Sequence, residues 1–279
     1  MIQIITDSTS DVRPAEWEAL GVSVLPLSVN FGDKSYLDGV DLTNDEFFKM
    51  LASAEHLPTT SQINPDAFSR AFKKHIDNGD DVVGIFISSK LSGTFNSAAM
   101  AAKEVNPEKI FVVDSKIGTF GLAILVQEAV KMRNAGMSAA MLVDNLNKLI
   151  DRVRLVAMVS TLKYLRMGGR ISATTAFVGG ILNIHPMVAV MDGIINNVGK
   201  VRGQRSAMKF ILQYLGDHPP DMDRAIAIGH SNTPQGLKNL QEFLKPHLPV
   251  DKAFVGEIGA VIGTYIGPGA FGLAYFEKE

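Results

Sequence analysis

The chain has 279 residues, 46% apolar and 20% charged, the make-up of a globular protein with enough hydrocarbon for a sizeable core. A net charge of −2 with no basic block argues against a nucleic-acid groove or a polybasic membrane patch. With no cysteine it forms no disulfide and no thiolate metal site, in keeping with a reducing compartment.

The opening residues, Met1-Ile2-Gln3-Ile4-Ile5-Thr6-Asp7, lack the basic region and apolar stretch of a signal peptide. No apolar run approaches the roughly 18–20 residues needed to span a bilayer. A cytoplasmic protein with no integral membrane segment is expected. Residues 2–6 read as a buried strand, and Pro14 suits the first turn of a helix that Gly21 ends. Residues 22–31 look extended. Thr43 and Glu46 have capping-box spacing, which predicts a helix over 44–54. Asn64-Pro65 starts another, closed near Gly79. A strand over 82–88, a small-residue helix over 95–105 and a strand over 110–113 follow, then helices over 119–134 and 138–150.

The second half begins with a strand over 153–159 and a short helix leading into Gly168-Gly169-Arg170-Ile171-Ser172. Segments 187–191 and 194–198 flank Asp192-Gly193, a hairpin signal that argues for a mixed sheet here against a mostly parallel one before it. A helix (203–215), a strand (225–229), a helix (235–245) and two closing strands complete the chain. Strands alternating with helices predict an α/β fold. The expected division is 1–153, a three-layer α/β/α domain, and 154–279, a smaller two-layer α/β domain with a mixed sheet.

Several motifs fail on inspection. Gly267-Pro268-Gly269-Ala270-Phe271-Gly272 matches the dinucleotide pattern, but the eight residues from Gly272 to Glu279 leave no room for a βαβ unit. Gly229-His230-Ser231-Asn232-Thr233 lacks the last glycine of a nucleophile elbow. Ser160–Lys163 and Ser206–Lys209 both fit S-x-x-K without its companions. The six histidines are scattered, with no pair at metal-ligand spacing. No cofactor or metal is expected.

Three hydroxyl-rich turns remain. Ser88-Ser89-Lys90-Leu91-Ser92-Gly93-Thr94 joins an apolar strand to a helix, where free backbone N–H groups and the helix dipole favour an anion. The plainer reading is a capped helix, yet a cap needs one hydroxyl and residues 88–97 carry five. Thr59-Thr60-Ser61-Gln62 is a second such turn, open to the same two readings. Asp7-Ser8-Thr9-Ser10-Asp11 follows the first strand, and Asp7 reads as a structural cap that could order a site from below.

These residues resemble the DegV family of fatty-acid-binding proteins. Ile4-Ile5-Thr6-Asp7-Ser8-Thr9 is similar to its opening strand, Thr60-Ser61-Gln62 to its T-S-Q, and Ser89–Ser97 to S-x-L-S-G-T-[FY]-x-S. Val113-Asp114-Ser115, Leu162–Ser172 (L-x-x-L-x-x-G-G-R-I-S), Leu182-Asn183-Ile184 with Pro186, and Val261–Ala270 follow in the family's order over the whole chain. Two positions depart from it: Tyr265 stands where the family often has histidine, and His185 where it usually has lysine. A phenol keeps a hydrogen-bond donor but not a group that changes charge near neutral pH.

The resemblance implies a lipid tunnel between two domains and a carrier rather than an enzyme. It implies that a long-chain fatty acid is bound and its carboxylate presented to a separate fatty acid kinase subunit, which makes an acyl phosphate for phospholipid synthesis. It places the carboxylate on Thr60 and Ser92, with Ser61, Gly93, Thr94 and Tyr265 beside them, and gives Arg170 and Arg202 a charge-balancing role. Burying about 14 methylenes at about 0.8 kcal/mol each offers roughly 11 kcal/mol before costs, and 12 methionines and 15 phenylalanines supply apolar lining. A serine-dependent lipid hydrolase or acyltransferase using Ser92 or Ser231, and a lipid-sensing regulatory protein, are the competing readings.

Overall fold

The computed structural model describes residues 1–172 and 183–279. Leu182 of the L-N-I element lies outside the described residues. In chain order the first elements are β1 (Ile2–Asp7), α1 (Pro14–Ala19), β2 (Val22–Leu25), β3 (Ser28–Phe31), β4 (Lys34–Leu37), α2 (Asn44–Ser53), β5 (Thr59–Ser61) and α3 (Pro65–Ile76). Next come β6 (Asp81–Phe86), α4 (Thr94–Val105), β7 (Ile110–Asp114), α5 (Thr119–Asn134), α6 (Ala139–Ile150), β8 (Val153–Met158) and α7 (Lys163–Met167). The described remainder holds β9 (Ile184–Met191), β10 (Ile194–Arg202), α8 (Gln204–Asp217), β11 (Ala227–His230), α9 (Pro234–Leu244), β12 (Phe254–Glu257), α10 (Ala260–Ile266) and β13 (Phe271–Phe276). No described helix is long and apolar enough to cross a membrane.

The local signals act as the sequence predicts. The Thr43 hydroxyl accepts from Glu46 N at 3.3 Å while the Glu46 carboxylate accepts from Thr43 N at 3.0 Å, a complete capping box. Replacing Thr43 with alanine frees a helix-end donor and is expected to cost about 1 kcal/mol, read as a lower urea midpoint at unchanged slope. Asn64 caps α3 by accepting from Ala67 N at 2.8 Å. Asp192 and Gly193 both have positive φ, 50° and 79°, which a type I′ hairpin turn requires.

Three sheets form. β2-β1-β6-β7 is parallel throughout. β10-β9-β8-β13-β11-β12 is mixed, antiparallel except for β11 and β12. β4-β3-β5 is a small antiparallel sheet. Strand alternation divides the core between their faces. Ile5, Val82 and Phe86 pack with Phe68, Phe72, Ala98 and Ala101 of α3 and α4. Their neighbours Ile4, Val83 and Ile85 face the other way, into a cluster with Leu122, Leu125 and Leu142 of α5 and α6. Leu155, Ala157, Ala274 and Phe276 of the mixed sheet join that same cluster, while Val156, Met158, Leu273 and Tyr275 face α8 and α9.

Helix α5 therefore lies between the two large sheets. All eight residues from Thr119 to Val126 are buried, with no polar face, as a helix covered on every side requires. Its one buried acid, Glu128, is satisfied by Lys131 at 2.7 Å and Arg224 at 2.9 Å.

Three details differ from the sequence reading. The extended stretch 22–31 is two strands in two different sheets, divided at Pro26, which has no N–H for a ladder. Residues 59–61 are a strand paired with β3 rather than a loop. Between the closing strands stands α10, a helix made despite four β-branched residues in its seven.

Candidate ligand-binding site

Two cavities meet beside α10. The first, of about 120 Å³, has Thr60, Gln62, Ser92, Gly93, Arg170 and Tyr265 in its wall, completed by aliphatic side chains from the β3 approach, the β6–α4 turn and α10. The second, of about 70 Å³, lies between the start of α5 and the mixed sheet, and its wall is almost wholly carbon. Leu91, Ile195, Ile262 and Ile266 line both. A polar chamber and an apolar one thus share a partition.

Thr60 faces the polar chamber because β5 alternates: Thr60 is half-buried while Thr59 and Ser61 are exposed. The Thr60 hydroxyl shares a hydrogen bond of 2.6 Å with the Tyr265 phenol. Gln62, two residues on, donates to Ser97 Oγ at 2.9 Å. A Cβ at Gly93 would stand 1.8 Å from Gln62 Oε1, so any other residue there requires the end of the Gln62 side chain to move aside. Ser92 Oγ shares a 3.0 Å bond with Thr94 Oγ1 and accepts from Thr94 N at 3.3 Å.

Arg170 is the charged residue in the chamber wall. Its guanidinium donates to Leu91 O at 3.2 Å and Gly168 O at 2.5 Å, and lies 4.7 Å from the centre of the Tyr265 ring. Three carbonyl or ring contacts therefore hold a cation beside three hydroxyls. Removing the phenol oxygen by Tyr265→Phe leaves Thr60 without its partner and is expected to cost about 1 kcal/mol of stability, read as a lower urea midpoint.

Buried carboxylates brace the chamber from behind. Asp7 accepts from Thr9 N at 2.9 Å, Thr9 Oγ1 at 2.5 Å and Ile87 N at 2.8 Å, fixing where the chain leaves β6. Burial raises its carboxyl above the ordinary value. Asp11 and Asp38 accept from Gly259 N and Ala260 N, each at 2.9 Å, and so hold the first turn of α10. Burial is the main cause that pushes Asp11 well above its ordinary range and Asp38 up to about 6.

The structure brings Thr60, Ser92, Gly93, Arg170 and Tyr265 into one chamber. Thr94 stands behind Ser92. Ser61 points to the other face of β5, where its hydroxyl accepts from Asn30 Nδ2 at 3.0 Å. Arg202 is exposed at the end of β10 and is not in the chamber wall. Ser88, Ser89 and Ser97 bond to Gly193 O, Asp114 and Gln62 respectively, which is structural work. Ser231 Oγ is buried and donates to Gly267 O at 2.5 Å, and Ser92's neighbour is a hydroxyl rather than an imidazole, so neither serine is paired with a base. Among the described residues no group of three His, Asp or Glu is placed to hold a metal ion.

Sequence reasoning missed Gln62 and the α10 isoleucines as site residues. Gln62 had a signal: it is two residues from Thr60, the spacing of one strand face.

The fold is a layered α/β architecture with two adjoining cavities beside α10, one with polar groups in its wall and one walled by carbon. Residues 1–278 match the model of the DegV family. A DegV domain-containing protein of Caldanaerobacter subterraneus subsp. tengcongensis is 35% identical over 278 residues, 99% of each chain. Among solved structures, a DegV family protein from Thermus thermophilus described for its fatty acid binding superposes with a TM-score of 0.91 at 33% identity, covering 99% of both chains. A stearic-acid-binding protein from Eubacterium ventriosum does so with a TM-score of 0.87 at 29% identity, covering 100% of this chain and 99% of that one. The chain belongs to the DegV family.

Proposed function

We propose that this protein binds one long-chain fatty acid, with the carboxylate in the polar chamber and the tail in the apolar one, and presents the head group to a separate kinase for acyl-phosphate formation. The observation that carries this reading is the shared partition: a chamber with hydroxyls and a guanidinium opens beside one walled by carbon. A carboxylate needs hydrogen bonds and a counter-charge once it leaves water. An acyl tail needs neither. The fatty acids held by the Thermus thermophilus and Eubacterium ventriosum proteins support the same ligand class.

In this reading residues 1–153 and 154–279 form two lobes with the lipid between them. Thr60, Ser92 and Tyr265 hold the carboxylate oxygens, Gly93 allows the close approach, and Arg170 balances the charge. Thr94 and Ser61 sit one step back, and exposed Arg202 meets the phosphate that the partner brings. The protein supplies the acyl group and the partner supplies the phosphoryl chemistry, inside the cell.

The test is native mass spectrometry of the purified protein, followed by solvent extraction of its lipid. A stoichiometric fatty acid is expected, and a reconstituted fatty acid kinase with ATP should convert it to acyl phosphate. A protein that stays empty after delipidation and reloading sinks the ligand assignment. Bound lipid that no kinase phosphorylates leaves a lipid-sensing role in place of the carrier role.

A further inference from the structure

Across four of the six strands of the mixed sheet, one row has almost no side chains. Ala157 on β8 pairs with Gly272 on β13, Gly272 with Gly229 on β11, and Gly229 with Gly256 on β12. Cross-strand partners share a face, so these four lie side by side on the face toward α5. Glycine inside a strand weakens it and marks close approach by something else. Here the approaching group is an aromatic ring. A Cβ at Gly229 would stand 2.3 Å from Phe120 Cε1, and one at Gly256 would stand 3.1 Å from Phe120 Cδ1.

Phe120, only 2% exposed, thus rests on the Gly229–Gly256 bed. On one side of it is the apolar chamber, lined by Phe120, Ala157 and Gly229. A wide cleft of about 680 Å³ has Gly256, Gly259 and Asp11 in its wall, but not Phe120 itself. His230 borders both. Adjacent glycines of one row therefore belong to different spaces, and the ring lies across them.

We propose that Phe120 is the residue that sets the longest acyl chain this protein accepts, by closing the far end of the tail chamber against the open cleft. The inference rests on the fatty acid reading and adds a chain-length limit to it. A tail that reaches the ring is stopped there. Without the ring, the glycine bed becomes a continuous trough, and a longer chain passes over Gly256 into the cleft. Bulk at residue 120, not the chamber's general width, decides the limit.

The experiment measures laurate, palmitate, stearate, arachidate and behenate binding to the delipidated full chain by competition, read by native mass spectrometry. Wild-type protein, Phe120→Ala, Phe120→Leu and Val188→Ala are compared; Val188 lines the same chamber but not the bed. In wild type, affinity climbs with chain length and then falls. In Phe120→Ala the behenate-to-stearate affinity ratio is expected to rise about tenfold or more, with Phe120→Leu between and Val188→Ala unmoved. An unchanged ratio in Phe120→Ala that still binds stearate overturns the proposal, and so does an equal rise in Val188→Ala. A wild type that binds no chain of any length removes the fatty acid reading itself, an outcome distinct from a limit that does not move.

Discussion

Arg170→Met is expected to lower palmitate affinity by about 2 kcal/mol, roughly thirtyfold. The guanidinium is the charged group in the chamber wall, and the neutral hydroxyls of Thr60, Ser92 and Tyr265 cannot replace its charge. A fully buried ion pair would lose more, about 3–5 kcal/mol, when one partner is removed. Arg170 is only partly buried, so solvent screens the deficit and the smaller figure applies. The side chain also braces Gly168 O and Leu91 O and covers the Tyr265 ring, so its loss could act through shape alone. Hexadecanol separates the two causes. It has the same tail and no charge, so an effect of charge should nearly vanish with the alcohol, while an effect of shape should persist. Equal losses for acid and alcohol would assign Arg170 a packing role and leave the carboxylate without its counter-ion.

The parts of this fold that local chemistry decides were legible in the sequence. The Thr43–Glu46 box, the Asn64 cap and the Asp192-Gly193 turn each work through contacts within a few residues, and each forms as read. The parts decided by distant contacts were not. Residues 22–31 have one extended character, and only the separate partners of β2 and β3 show that they divide. Helix α5 has no polar face at its start because a second sheet covers it, and that sheet comes later in the chain. Helix α10 contains Val261, Ile262, Thr264 and Ile266, which favour strands. Its helical form is supported by Asp11 and Asp38, more than 200 residues upstream, which receive its first N–H groups.

The site divides in the same way. Ser92 and Thr60 stood out because hydroxyl-rich turns before helices are unusual in number, and the structure gathers both into one chamber. The excess of hydroxyls was a poor guide to each one singly, since Ser88, Ser89 and Ser97 are occupied by backbone and side-chain partners. The apolar chamber left no local mark. Its wall takes Phe120, Ala157, Val190, Gly229 and Ile258 from segments far apart in the chain, and every one of them reads as ordinary core. Only the register of four strands shows that three glycines stand in line.

The buried carboxylates give the second large expectation: the protein is more stable at pH 5 than at pH 7.5, and Asp38→Asn removes much of that difference. Asp38 is 4% exposed and titrates at about 6, against 3.8 as its ordinary value, with burial as the first cause. A carboxyl whose folded pKa is raised binds more protons in the folded state than in the unfolded chain. Its stabilising effect is fully present below the unfolded value and is lost as pH rises through about 6. The full span is about 3 kcal/mol, at about 1.4 kcal/mol for each tenfold change in proton affinity; about 1.4 kcal/mol of it falls between pH 5 and 7.5, and the rest is gained only below pH 5. Asp7 and Asp11, also buried, have raised values and act in the same direction. His230 acts against them: burial lowers its value, so it favours the folded state less as pH falls through the ordinary histidine range. The comparison of Asp38→Asn with wild type cancels His230, and reads Asp38 together with the repulsion by which it helps to raise Asp11. Asparagine keeps an oxygen for Ala260 N, so the start of α10 keeps its acceptor. Urea melts of both proteins at pH 5 and 7.5 measure the slope. A mutant with the full wild-type slope would mean that Asp38 stays ionised throughout, with the α10 amides compensating its burial.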